Sequence, residues 1–150
     1  MKDNIVIAGC SLLDKFVSDF ACNNNLSGLE FLSCIPGSVG GGIKMNSGCF
    51  GSEFKDVLLS VQVMDLDGRV FTIKSKDIRF GYRESNLPKD LIFLSASFLT
   101  KRKDRNEIEE NIRVLKEKKE NSQPLRVKTG GSTFKNPINQ SEKKVWELIK

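Results

Sequence analysis

Apolar residues recur along the 150-residue chain with two different periods, and the change from one to the other marks out its elements. Ile5-Val6-Ile7-Ala8 is a short strand-type run ended by Gly9. Ser11 and Asp14 then open a predicted helix in which Leu12, Leu13, Phe16, Val17 and Phe20 recur at helical spacing. That stripe, aromatics included, is expected to be core. Asn23-Asn24-Asn25 and Gly28 end the helix. From Val57 to Met64 the pattern alternates around Leu59, Val61 and Val63. Asp67-Gly68 supplies a turn before Val70, Phe71 and Ile73, which predicts a β-hairpin. Asp77 to Tyr82 reads as a short turn or helix. Leu91 to Leu99 is continuously apolar, as expected of a central strand covered on both faces. Asn106 to Glu120 predicts a helix with Ile108, Ile112 and Leu115 on one face, stopped by Gln123-Pro124. Val127 to Asn136 is a glycine-bearing loop or strand. Ser141 to Lys150 starts another amphipathic helix, in which Val145, Trp146 and Ile149 need a partner surface. There is no internal repeat and no low-complexity linker.

Composition narrows the class. At 150 residues and 39% hydrophobic content the chain can bury one ordinary core, as a single domain or a domain with an appendage. No run approaches the roughly 18 apolar residues that span a bilayer, and Met1-Lys2-Asp3-Asn4 lacks a signal peptide's basic-then-apolar opening. The expectation is a cytoplasmic protein with no membrane partner. There is no histidine, which excludes the usual zinc sites and any Ser-His-Asp or Cys-His machinery, and no metal is expected. Cys10, Cys22, Cys34 and Cys49 form no Cys-x-x-Cys pair and read as reduced, mostly buried thiols. Residues 1–100 hold ten Lys or Arg against eleven Asp or Glu, and residues 101–150 hold fourteen against eight, so the net +5 comes entirely from the last third. Aromatics do not interleave with those cations, which argues against a nucleic-acid partner.

The densest chemistry lies between Gly28 and Gly51, where seven of the twelve glycines fall in twenty-four positions. Such backbone adopts conformations that side chains forbid, or approaches something closely. Pro36 before Gly37 sets a sharp turn, while Ile35, Val39 and Ile43 anchor the segment in a core. Asn46 and Ser47 place an amide and a hydroxyl between glycines. The mixture suits backbone N–H groups presented to the polar edge of a bulky ligand.

Three motifs carry a resemblance. Gly28-Leu29-Glu30-Phe31-Leu32 through Ile35-Pro36-Gly37-Ser38-Val39-Gly40-Gly41 and Met45-Asn46-Ser47-Gly48-Cys49-Phe50-Gly51 resembles the flavin-contacting segment of the UDP-N-acetylmuramate dehydrogenase family. Phe80-Gly81-Tyr82-Arg83-Glu84-Ser85 and Gly130-Gly131-Ser132-Thr133-Phe134-Lys135-Asn136-Pro137 agree with that family in order and spacing. The resemblance implies an α+β fold: part of an FAD-binding domain of the vanillyl-alcohol-oxidase (PCMH) type over residues 1–100, then the start of a substrate-binding domain over 101–150. It also implies FAD and NADPH as cofactors. The reaction implied is reduction of the enolpyruvyl double bond of a UDP-linked sugar, in bacterial peptidoglycan precursor synthesis.

The resemblance assigns roles by position. Ile35, Pro36, Gly37, Ser38, Gly40, Gly41, Asn46 and Gly48 would contact FAD. Arg83 resembles the arginine facing the substrate carboxylate and the developing enolate, a task suited to a guanidinium that stays charged and offers a planar fork of donors. Ser132 resembles the proton donor, with Lys135 as a candidate neighbour stabilising its alkoxide. Tyr82, Lys135 and Asn136 match substrate-binding positions. The forty-nine positions from Arg83 to Ser132 resemble the compact subtype, which lacks an inserted loop over the substrate.

The family's chain extends further at both ends. It carries a small subdomain before this sequence, whose glycine- and serine-rich loop holds the FAD pyrophosphate, and a later glutamate that shares the proton transfer. No residue here maps to either. The expectation is a truncated family member, weak or inactive alone unless a second polypeptide completes it. The rival readings are a non-catalytic remnant and, behind it, a basic nucleic-acid binder.

Overall fold

The computed structural model describes residues 4–122, 134–137, 141, 143 and 145–149. In chain order the elements are β1 (Asn4–Gly9), α1 (Asp14–Asn23), β2 (Leu26–Ser27), a 3₁₀ turn (Glu30–Cys34), α2 (Val39–Lys44), β3 (Gly48–Cys49), β4 (Ser52–Glu53), α3 (Phe54–Val57) and β5 (Leu58–Met64). There follow β6 (Val70–Lys74), a 3₁₀ turn (Ser75–Asp77), β7 (Phe80–Gly81), β8 (Glu84–Ser85), β9 (Ile92–Arg102), α4 (Arg105–Ser122) and α5 (Val145–Leu148).

An antiparallel sheet in the order β1-β9-β5-β6 forms the frame, and β2 pairs with the far end of β9. Period-two patterning puts Val6, Ala8, Leu58, Val61, Val63, Ala96 and Phe98 on its buried face. Register places Val6 opposite Phe98, and Ala8 and Val61 opposite Ala96. Phe54 at the start of α3 is wholly buried, its ring edge-on to Phe31 at 6.1 Å and to Phe98 at 5.9 Å. Each such side chain contributes roughly 1.5–3 kcal/mol by leaving water. The Asp65–Arg69 turn closes the expected hairpin, with Gly68 at φ +82°.

Three expectations are corrected. In α1 the apolar stripe is not core: Leu13, Phe16 and Phe20 are 51%, 53% and 55% exposed and Leu12 is exposed too. Of the stripe only Val17 is buried, and it shares the inner face with Asp14, Ser18, Ala21 and Cys22. Small residues win that face because α1 packs closely on the Glu30–Cys34 turn, which bulky rings would hold off. The helix also starts at Asp14, not Ser11. Second, β9 is central but buried on one face only, through Ala96, Phe98 and Thr100. Ser95, Ser97 and Leu99 are half-buried and Ile92 is exposed. Third, Asp77–Tyr82, expected as a short turn or helix, has turns at its two ends and a strand, Phe80–Gly81, between them. After the Ser75–Asp77 turn, Phe80–Ser85 folds as a tight hairpin, Phe80 opposite Ser85 and Gly81 opposite Glu84.

The Gly40-Gly41-Gly42 run is helical. Gly42 is required by packing, since a Cβ there would come 2.3 Å from the Phe54 ring, and Gly40 abuts Cys10 at 3.2 Å. Val39 and Ile43 are fully buried, as their anchoring role requires. The preceding turn is sewn to the start of α1: Asp14 N donates to Gly37 O (3.0 Å), Val39 N to Leu12 O (3.0 Å) and Gly40 N to Cys10 O (2.8 Å). The α4 helix buries Ile108 and Ile112 against Cys22, and Lys119 Nζ donates to Cys34 O at 2.8 Å. No helix among the described residues is long and apolar enough to cross a membrane.

Candidate functional site

Asn46, at the end of α2, sits at φ +40°, a conformation asparagine tolerates better than most residues. It is fully buried and its amide is saturated. Nδ2 donates to Glu53 Oε2 (3.0 Å) and to Gly81 O (3.1 Å), and Oδ1 accepts from Lys55 N (3.1 Å). Asn46 therefore does not present its amide to a ligand. It ties the glycine segment, the β4–α3 corner and the β7–β8 hairpin into one unit. Ser85 Oγ donates to Lys44 O (3.0 Å), and the Lys44 ammonium donates to Leu87 O.

That clamp aims the hairpin tip, Tyr82-Arg83, at the other end of the glycine segment. Between them lies a cavity of about 420 Å³ lined by Gly48, Phe50, Glu53, Lys55, Tyr82 and Arg83, among others. Arg83 Nη2 donates to Gly48 O at 3.5 Å, and the guanidinium carbon lies 5.2 Å from the Tyr82 ring centre. Arg83 and Phe50 stand at φ +57° and +49°, where non-glycine residues are strained by about 1 kcal/mol. Two strained side chains on one cavity mark a site whose geometry is imposed by its surroundings. Among the described residues no ion pair uses Arg83. The nearby carboxylate is taken: Glu53 pairs with Lys55 Nζ at 2.6 Å. The Lys55 hydrogen bond first, then Asn46 and the charge of Arg83, hold the Glu53 carboxyl below its ordinary range. An unpaired guanidinium beside an aromatic ring can receive a planar anion.

The remaining candidates lie elsewhere. Ile35, Pro36, Gly37, Ser38, Gly40 and Gly41 form the turn and first part of α2, where Ser38 Oγ accepts from Gly41 N (3.4 Å). Gly41 is exposed and, unlike Gly40 and Gly42, nothing in the protein approaches its Cβ position closer than 3.4 Å. Lys135 and Asn136 are exposed and line no part of the cavity. Asn136 Oδ1 accepts from Val145 N at 3.1 Å, capping α5. Ser132 falls outside the described residues, as do Gly130 and Gly131. Phe50 enters the sequence reading only within its motif, and Glu53 and Lys55 do not enter it. The run Ser52-Glu53-Phe54-Lys55-Asp56, charged directly after the last glycine, was the available signal for the last two. Asp14 was missed as well. It is buried with neither oxygen partnered among the described residues, beneath Gly37, and burial pushes its carboxyl up to about 7.

Comparison with known proteins places this arrangement. The "FAD binding domain" family model matches residues 3–74. Over all 150 residues the chain is 56% identical to UDP-N-acetylenolpyruvoylglucosamine reductase of Pelagibacter ubique, covering 50% of that protein. It is 42% identical over 147 residues to the enzyme of that name from Rickettsia conorii, 98% of this chain and 49% of that one. Across nearly its whole length the chain is similar to about half of each of these reductases. The crystal structure of UDP-N-acetylenolpyruvylglucosamine reductase from Thermus caldophilus superposes with a TM-score of 0.82 at 34% identity, over 91% of this chain and 50% of that one. The fold is thus that of the matching half of the Thermus caldophilus reductase, with an FAD-binding-domain match over residues 3–74, and the chain spans about half the length of the curated relatives it matches.

Proposed function

We propose that this chain supplies the flavin- and substrate-facing part of an FAD-dependent reductase that oxidises NADPH and reduces the enolpyruvyl group of UDP-N-acetylglucosamine enolpyruvate. That reaction belongs to peptidoglycan precursor synthesis in the bacterial cytoplasm. The observation that carries the proposal is the strained, ion-pair-free Arg83 held against the Gly48 end of the glycine segment in a cavity of about 420 Å³.

The residues present fit the cofactor. Gly41 is a helical glycine with no internal reason to lack a side chain, although alanine would be more stable there by up to about 1 kcal/mol. Its bare backbone leaves room for a group from outside. Pro36, Gly37 and Ser38 shape the turn beside it, and Asn46 contributes by fixing Gly81 and by holding Glu53, the strand partner of Gly48. When bound, FAD accepts a hydride from NADPH and passes one to the enolpyruvyl double bond. Arg83 would hold the substrate carboxylate and the negative charge that develops beside it, and the Tyr82 ring would orient the guanidinium. Ser132 would deliver the proton to the neighbouring carbon, with Lys135 stabilising its alkoxide and Asn136 binding substrate. The division into a flavin part (1–100) and the start of a substrate part (101–150) belongs to the same reading.

The relatives are twice as long, so the proposed reaction is tested with the remaining portion of a full-length relative supplied. The test is co-expression with the other half of a full-length relative, desalting, and a visible spectrum. The expected complex is yellow and oxidises NADPH only when the UDP-sugar is present. A complex that forms and stays colourless overturns the proposal and favours a non-catalytic role.

A further inference from the structure

Glu53, Lys55 and Arg83 stand on the wall of one cavity, and two of the three meet the same glycine. Glu53 is the strand partner of Gly48, and a Cβ at Gly48 would come 2.7 Å from Glu53 Cγ. Arg83 Nη2 donates to the Gly48 carbonyl at 3.5 Å, long for such a bond. Carboxylate and guanidinium therefore approach one residue. The ion pair that forms is nevertheless Glu53 Oε2 with Lys55 Nζ, at 2.6 Å.

The two partners are held very differently. Glu53 is fixed: Asn46 Nδ2 donates to its Oε2 at 3.0 Å, and its carboxylate accepts the backbone N–H of Asp56 in the capping box of α3, whose own carboxylate takes the Glu53 N–H at 2.8 Å. Those donors are uncharged. Among the described residues Lys55 is the one cation in an ion pair with Glu53. Arg83 is held only by its long bond to Gly48 and by the Tyr82 ring, 5.2 Å away. A guanidinium on a flexible stem can turn to a fixed carboxylate whose charge is not neutralised. The Lys55 hydrogen bond is the largest influence holding Glu53 below the ordinary carboxylate range, and the charge of Arg83 acts in the same direction.

We propose that Lys55 is a positioning residue of this site: by occupying Glu53 it keeps the Arg83 guanidinium without an internal partner and open to the carboxylate of an incoming ligand. The carboxylate as ligand rests on the function proposed above, whereas the internal pairing does not depend on it. The cavity carries its own competitor for Arg83, and Lys55 removes that competition. Loss of Lys55 would close the site through an internal Glu53–Arg83 ion pair, with the fold intact.

The test is the rate at which phenylglyoxal, a reagent for guanidine groups, modifies Arg83 in the full chain at fixed pH, read by peptide mapping. Lys55→Met should slow that rate about two- to fivefold, the equilibrium worth of a largely exposed ion pair. Lys55→Arg should keep the parental rate. Glu53→Gln/Lys55→Met should restore it, which a merely structural loss at Lys55 would not do. A parental rate in Lys55→Met, or a slow rate that persists in the double variant, overturns the proposal. Neither flavin nor sugar takes part in the labelling, so it fails or succeeds apart from the reductase reading.

Discussion

The amide of the fully buried Asn46 donates to the carbonyl of Gly81, thirty-five residues away, at 3.1 Å. This bond, with those to Glu53 and Lys55, lets a turn of short β-strands hold an arginine in place. Replacing Asn46 with alanine removes the acceptor of the Lys55 N–H and one donor each to the Gly81 carbonyl and to Glu53 Oε2, which keeps Lys55 Nζ. It also puts a Cβ residue less tolerant of positive φ at +40°. Asn46→Ala is expected to cost about 3 kcal/mol, measured by urea denaturation. A loss under 1 kcal/mol would show that the clamp is dispensable.

Gly41 and Gly42 should respond oppositely to a methyl group. Gly42→Ala drives a Cβ into the Phe54 ring and is expected to cost about 1–3 kcal/mol. Gly41→Ala meets only Ser38 Oγ at 3.4 Å and should leave stability unchanged or raise it by up to about 1 kcal/mol. In the complemented complex the same Gly41→Ala change should weaken flavin retention on desalting. Equal stability losses would contradict the separation of packing from cofactor roles.

These contrasts show what the sequence could and could not carry. The alternation through Val61 and Val63, the Asp67-Gly68 turn and the Ile108–Ile112 spacing were legible because each follows from local periodicity. Phe16 and Phe20 keep helical spacing yet face outward, because how near α1 approaches the Glu30–Cys34 turn is set by the tertiary fold and not by periodicity. The glycine triplet was conspicuous, yet two of its members serve internal contacts with Cys10 and Phe54 that only the tertiary fold reveals. Arg83 stands out in the sequence through its motif, and the structure puts it on a cavity wall. The cavity around it depends on positive φ at Phe50 and Arg83, which composition does not announce.

Asp14 makes the fold pH-dependent. Its carboxyl titrates near 7 when folded, because burial disfavours the charged form, and near 4 when unfolded. Between those values the unfolded chain has released the proton that the folded chain still holds, so stability falls as pH rises from about 4 to about 7 and then levels. Asp14→Leu should flatten that slope and raise Tm at neutral pH. Thermal melts across this window check it, and an unchanged slope in the variant would assign the dependence elsewhere.

Arg83→Gly separates strain from function. Glycine relieves the backbone at φ +57°, so the variant should be as stable as the parent or more so by about 1 kcal/mol. A destabilised Arg83→Gly would mean that the guanidinium contacts with Gly48 and Tyr82 hold the hairpin.

On the proposed function, Arg83 would face the substrate and not the nicotinamide. Stopped-flow measurement of both half-reactions in the complemented complex tests it most directly, comparing wild type with Arg83→Ala. Reduction by NADPH should proceed at the parental rate, while reoxidation by the enolpyruvyl sugar should slow by about 10²–10³-fold. Reoxidation at the parental rate, or equal slowing of both steps, would contradict the account.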